Sequence, residues 1–348
     1  MKEDRVVYPD LLRIIAVFFV IAIHVTSVGI KDYSMNSTVW VFCLALNSLS
    51  RWAVPVFYMI SGMFLLNPDR KFEVKEFYKK NVLRIVRCIV FWGFLYSMLD
   101  QFLYGTISTK SIAIAFYGIL TDGTGYHLWF LYTLLLLYIA TPVLRILTEH
   151  ATKEQFEYAL IIWFVFSLLV GQINALMKEL FGMNQLMPFE AITITGYAGY
   201  YLLGAYVSIY ESKRKQNSWA LVCLGTAAVL LLVVGNLILA THFDLKNVTS
   251  WESPLGLLSF VVAVVLFRLL QKLPTEAWNA KTRNSISILG RQTFGIYLTH
   301  VFFVSLFFRI LKLSLTAIWV LPWCGIVFVC SWITTVILMR LPGIKKLV

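Results

Sequence analysis

Apolar stretches about twenty residues long recur from one end of this chain to the other, and nothing else in it constrains the fold as tightly. They lie near residues 10–29, 39–66, 85–104, 127–148, 156–175, 196–211, 217–241, 254–272, 292–311 and 316–339. A helix of that length crosses the hydrocarbon core of a bilayer. In lipid every backbone N–H and C=O must find a partner inside the protein, so a spanning segment has few choices of fold. The expected fold class is therefore all-α: a polytopic integral membrane protein of about ten transmembrane helices. Composition agrees, with 59% of the 348 residues hydrophobic and only 14% charged, against roughly a quarter charged in soluble domains. The intervals between spans are short, so residues 1–348 are expected to form a single transmembrane domain. The first span is read as an uncleaved helix, because it is longer than a signal-peptide core and no small-residue cleavage site clearly follows. Pro55, inside the long second span, predicts a kink there.

Charge sets the expected orientation. The formal net charge is +12, which in a soluble chain would raise the question of nucleic acid. Here the basic residues sit in the gaps between apolar runs, where topology explains them and no nucleic-acid partner is expected. Of the 30 Lys and Arg residues, 23 fall on one side of the ten-span arrangement and 6 on the other, with Arg51 inside the second span. The richer side holds the cluster from Arg70 to Arg87 as well as Arg145 and the Lys213–Lys215 run. That bias places both termini in the cytoplasm, which requires an even number of spans. Membrane lipids are the expected surroundings, and the inner (plasma) membrane the expected location. The five cysteines lie in apolar runs without CxxC or Cys/His ligand spacing, so neither disulfides nor a metal site is expected.

The residues that could carry chemistry begin in the first span, DLLRIIAVFFVIAIHVTSVG (10–29). Ionisable groups inside a span are costly and by default functional. Arg13 and His24 are eleven positions apart, which puts them on one helix face about 16 Å apart along the axis. His24 has a structural reading, a hydrogen bond to a neighbouring helix, and a catalytic one, a general base near neutral pH. Arg13 follows Asp10 by one turn and also reads as an anchor that snorkels to the headgroups. Lys80, Arg84 and Arg87 recur at i, i+4 and i+7 as one basic stripe entering the third span. A topological role accounts for their sign, but Arg87 continues into the apolar run, and guanidinium groups bind phosphate bidentately. The stripe is therefore read as a phosphate site.

Arg51, in NSLSRWAVPVFYMISG (47–62), needs a counter-charge or a wet cavity. No acid lies inside the neighbouring spans, so an anionic or strongly polar ligand is expected there. His300, at the end of GRQTFGIYLTH (290–300), is by itself more often a satisfied core histidine. His127, in GTGYHLWFLY (123–132), reads equally well as interfacial, beside Trp129 and Tyr132 of an aromatic belt. Glu190 is an outer-loop carboxylate close to a span, and its role is open. Two outer connections, Gly105–Tyr126 and Met177–Thr195, are long enough to fold back over a site.

Taken in order, these pieces resemble the acyltransferase-3 family of integral membrane acyltransferases. Arg13 through His24 matches its arginine, ten residues, histidine signature, and Arg84-Ile-Val-Arg87 its arginine, two residues, arginine motif. SRWAVPVFYMISG (50–62), HLWFLY (127–132) and GIYLTH (295–300) are similar to its second, fourth and ninth helices. The pattern is nearest the branch that acetylates enterobacterial common antigen, and membrane domains of vancomycin-resistance serine racemases look related. The resemblance implies a membrane O-acyltransferase moving an acyl group from cytoplasmic acyl-CoA to a hydroxyl of a cell-surface carbohydrate or lipid-linked glycan. Acetyl-CoA is the implied donor, with succinyl an alternative that Arg51 keeps open. It further implies donor binding at Arg13, Lys80, Arg84 and Arg87, and catalysis at His24 as base. Arg51 or His300 would steady the oxyanion, and an acyl-histidine intermediate is the variant. Two other classes stand beside it: a transporter or flippase of a polar or lipid-linked sugar solute, and a non-catalytic substrate-capturing membrane module. Against the transporter, no paired halves with matching broken helices are visible.

Overall fold

The computed structural model describes residues 6–121, 125–183, 193–211 and 217–348. Glu190, the Lys213–Lys215 run, and parts of both long outer connections fall outside the described residues. Within them the chain is helical throughout: α1 Tyr8–Asp32, α2 Thr38–Leu65, α3 Val74–Leu103, α4 Ser111–Leu120, α5 Trp129–His150, α6 Lys153–Phe181, α7 Thr193–Tyr210, α8 Ser218–His242, α9 Leu257–Gln271, α10 Ala280–Ile310 and α11 Ala317–Leu338. Eight of these are long and apolar enough to cross a membrane. With α7 and the shorter α9 they match the ten expected spans, so the polytopic all-α reading holds. The addition is α4, a ten-residue helix within the Gly105–Tyr126 connection that packs on α3.

Helix bounds differ from the apolar runs where charged residues continue the helix. The third helix starts at Val74, not near 85, and carries its lysines through a wide turn at Tyr78–Val82. Likewise α10 starts at Ala280, a full three turns before its apolar run. Lys and Arg are good helix formers, so hydropathy alone underestimates such ends.

The kink predicted from Pro55 is a break. The first half of α2 ends at Ser50, Arg51 and Trp52 form a turn, and helix resumes at Ala53. Proline has no N–H to give the carbonyl four residues back, and its ring crowds that carbonyl. Four residues before Pro55 is Arg51. The break thus falls on a half-buried cation within a span, at membrane depth where irregular backbone must be buried in protein or line a cavity.

The bundle is organised around α1, which packs against both halves of α2 and against α9, α10 and α11. Its small and branched residues Leu12, Ala16, Val17, Ile21, Ala22 and Val25 are fully buried. The second half of α2 lies against α7 so closely that Cβ atoms at Gly62 and Gly204 would overlap the backbone of Tyr201 and Met59. In contrast α8 presents Trp219, Leu224, Leu230, Leu231 and Ile238 outward, as a lipid-facing helix does. Arg145, counted above as a topological charge, is a buried clamp. It donates to the carbonyls of Leu65, Asn67 and Arg70 and pairs with Glu149 at 2.6 Å. At the chain's end, Arg84 donates to the carbonyl of Val348 (2.9 Å) and Trp92 to that of Leu347 (2.9 Å).

Candidate active site

A cavity of about 440 Å³ runs between α1, α2, α3, α5 and α10. One end is cationic, lined by Arg13, Lys80, Arg84 and Arg291 with Asn81. Its middle is apolar and aromatic, with Val20, Phe57, Leu134, Tyr138 and Phe294. The far end is lined by His24, Arg51, His127, Trp129 and Tyr297.

At the cationic end each side chain is held by local structure. Arg13 donates to Asp10 at 3.0 Å, one helical turn back, and lies over the Phe64 ring at 5.2 Å. Asp10 is itself buried against Gly290 of α10, where a Cβ would collide with its carboxylate. Gly290 is thus required by the close approach of α1 and α10. Arg84 stacks over Phe294 at 5.1 Å. The expected stripe is only partly on the cavity: Lys80 and Arg84 line it, while Arg87 is exposed and does not. Asn81 and Ile85, which also line it, lie on the opposite side of Arg84 around the helix from Arg87. The cavity face therefore turns away from Arg87. Arg291 of α10, which sequence reasoning counted only as a topological charge, completes the set.

At the far end three imidazoles from three elements meet. The ring centroids of His24 and His300 are 5.0 Å apart, His127 and His300 5.3 Å, and His24 and His127 6.4 Å. Backbone carbonyls and tyrosines hold the group. The ring Nδ1 of His300 lies 2.5 Å from the Tyr297 carbonyl. The Tyr297 hydroxyl donates to the His127 carbonyl (2.5 Å), and Tyr96 donates to the Leu298 carbonyl (2.7 Å). His24 and His127 line the cavity, whereas His300 is fully buried behind them. Both ring nitrogens of His127, and Nε2 of His300, are buried without a hydrogen-bond partner. Buried polar atoms are rarely left so, and each instance calls for a reason. The sequence reading left His127 between an interfacial and a functional role. It precedes the first turn of α5, where no helical periodicity links it to His24, and only the HLWFLY resemblance pointed to it.

Arg51 requires a correction. The expectation of a ligand as its counter-charge looked for acids only inside the neighbouring spans, and Glu252, in a connection, pairs with it. The fully buried carboxylate of Glu252 also accepts from Ser48 (3.0 Å), Asn236 (2.8 Å) and Asn247 (2.9 Å). Glu252 comes from the connection between α8 and α9, not from a span, and that connection folds inward. Val248 N–H donates to Asn236 Oδ1 (3.0 Å) and Trp251 Nε1 to the Leu232 carbonyl (3.1 Å). A buried ion pair persists when its remaining lone pairs are hydrogen-bonded, and here they are. Arg51 Nε alone remains without a partner.

A cation cluster and an imidazole cluster at opposite ends of one cavity can hold an anionic, elongated molecule with its reactive end beside a base. Among the described residues, no group of three or more His, Cys, Asp or Glu is placed to hold a metal ion. A family model described as an acyltransferase domain, that of the acyltransferase-3 family, matches residues 6–339. No curated protein and no solved structure matches the chain.

Proposed function

Because the chain belongs to the acyltransferase-3 family, and so is a multi-pass membrane acyltransferase, we propose that it transfers an acetyl group from cytoplasmic acetyl-CoA to a hydroxyl of an envelope carbohydrate. One observation carries the proposal: the single cavity that joins Arg13, Lys80, Arg84 and Arg291 to His24, Arg51 and His127. The phosphates of the donor suit the cationic end, where guanidinium groups bind oxyanions bidentately. Arg87, exposed on the same helix, is an accessory cation at its rim. The apolar middle takes the donor's extended arm, and the eleven helical steps from Arg13 to His24, about 16 Å, give it the necessary length.

At the far end His24 accepts the proton of the acceptor hydroxyl. The hydroxyl oxygen bonds to the acyl carbon, the carbon–sulfur bond breaks, and the departing thiolate receives the proton from His24. Arg51, which lines this end of the cavity, steadies the oxyanion that forms between these steps, and preorganised donors in a dry site are worth most there. His300, packed behind His24, acts as a positioning residue, with the acyl-histidine route as the variant. The reaction so drawn uses no metal. In this reading the chain is one membrane-embedded domain of the inner (plasma) membrane, with both termini in the cytoplasm. The acceptor belongs to the class that includes enterobacterial common antigen.

The test is donor binding. Acetyl-CoA should bind the purified protein, and Arg13→Ala/Arg84→Ala should weaken that binding about a hundredfold, as expected for two charge-assisted contacts. Absence of acetyl-CoA binding to the wild-type protein would contradict the proposal and favour a transporter.

A further inference from the structure

Arg51 lines two cavities. On its side away from Arg13 is a second space of about 300 Å³, whose polar lining is Ser27, Lys31, Asn47, Arg51, Lys246 and Asn247. None of its lining residues is acidic. Glu252, the carboxylate that pairs with Arg51, is also engaged by Ser48, Asn236 and Asn247. Lys31 is exposed and has no ion-pair partner among the described residues, and Lys246 is held only by the Tyr33 carbonyl, at 2.5 Å. The lining of this vestibule is therefore net positive.

Two buried atoms on its wall point to what it takes. Asn47 is fully buried and spends its amide N–H groups on the Ile23 carbonyl (3.0 Å) and Thr26 (2.8 Å), leaving Oδ1 unpaired. One turn on, Arg51 Nε is unpaired as well. An acceptor and a cationic donor left open side by side suit a ligand that bears both hydroxyls and an oxyanion. The α1 helix gives the scale: Ser27 is about 4.5 Å and Lys31 about 10 Å along the axis from His24, which is the scale of two linked pyranose rings.

We propose that this vestibule is the acceptor subsite for an acidic sugar, one bearing a carboxylate or phosphate. Lys31, Lys246 and Arg51 take the oxyanion, Asn47 Oδ1 takes a ring hydroxyl, and the adjoining sugar presents its own hydroxyl to His24. The assignment of this sugar as acceptor rests on the acyl-transfer reading above.

The experiment measures binding to the full-length protein in zwitterionic nanodiscs, with a glucuronosyl-glucose disaccharide, neutral cellobiose, inorganic phosphate and acetyl-CoA as probes. The acidic disaccharide should bind about tenfold tighter than cellobiose, and Lys31→Gln/Lys246→Gln should lower its affinity about tenfold. Acetyl-CoA binding by the same double variant should match wild type, which shows that the variant is folded. Equal binding of the two disaccharides, or acidic-sugar binding indifferent to the double substitution, overturns the proposal. So does displacement of the sugar by inorganic phosphate at equal concentration, or by anionic lipid in the nanodisc, since either marks a generic anion or headgroup site. Binding of the acidic sugar without any binding of acetyl-CoA would retain the vestibule and overturn the acyl-transfer reading instead.

Discussion

The two ends of the main cavity hold their positive charge in opposite ways. At the cationic mouth Arg84 and Arg291 are exposed, and the half-buried Arg13 pairs with Asp10 one turn back. Around Arg51 every oxygen of the counter-ion is engaged: the fully buried Glu252 is shared among one guanidinium, two amides and a hydroxyl. Solvent and salt screen the first arrangement and scarcely reach the second. A mouth built from several screened cations tolerates the loss of one and can admit and release a polyanion. A locked pair deep in the bundle cannot be dismantled by halves, and it keeps Arg51 fixed between the two cavities it lines.

The sharpest break in that contrast comes from Glu252→Ala. Removing one partner of a buried pair leaves an uncompensated charge, so this substitution should destabilise the protein by about 3–5 kcal/mol, measured as a fall in thermal midpoint in detergent. An unchanged midpoint would mean that the deep end is as loosely held as the mouth. Next in size is Gly290→Ala, where the new Cβ meets Asp10 and forces α1 from α10. Overpacking of this kind should lower stability by about 1–3 kcal/mol and loosen Arg13 with it. Arg84→Ala should raise the KM for donor about tenfold with kcat little changed, as loss of uniform binding does, and the gap should narrow in high salt. The smallest effect belongs to Arg87→Ala. Its side chain is off the cavity, and a change in KM beyond about threefold would contradict its rim position, since exposed charges contribute little.

The same division decides what could be read from the chain alone. The ten spans were legible because lipid leaves few ways to satisfy a backbone, and Pro55 foretold a kink in the second span through a hydrogen bond it cannot make, though not that it would be a full break at Arg51. Arg13 and His24 share a helix, so their common face followed from periodicity. The residues missed all reach the site across the fold. Glu252 belongs to a polar connection that dips inward, His127 precedes a helix whose register says nothing about α1, and Arg291 arrives from α10 on charged turns beyond the apolar run. The basic stripe runs on to Arg87, whereas its cavity face turns toward Asn81 and Ile85. Periodicity orders residues along one helix, whereas which helices meet is settled by packing.

In the proposed reaction His24 moves the proton at the deep end of a cavity whose other end holds the donor. Release of CoA by purified His24→Ala, assayed with acetyl-CoA and acceptor, tests it most directly. Loss of a general base should slow turnover about 10²–10⁴-fold while acetyl-CoA still binds as in wild type. Near-wild-type turnover in that variant would contradict the account.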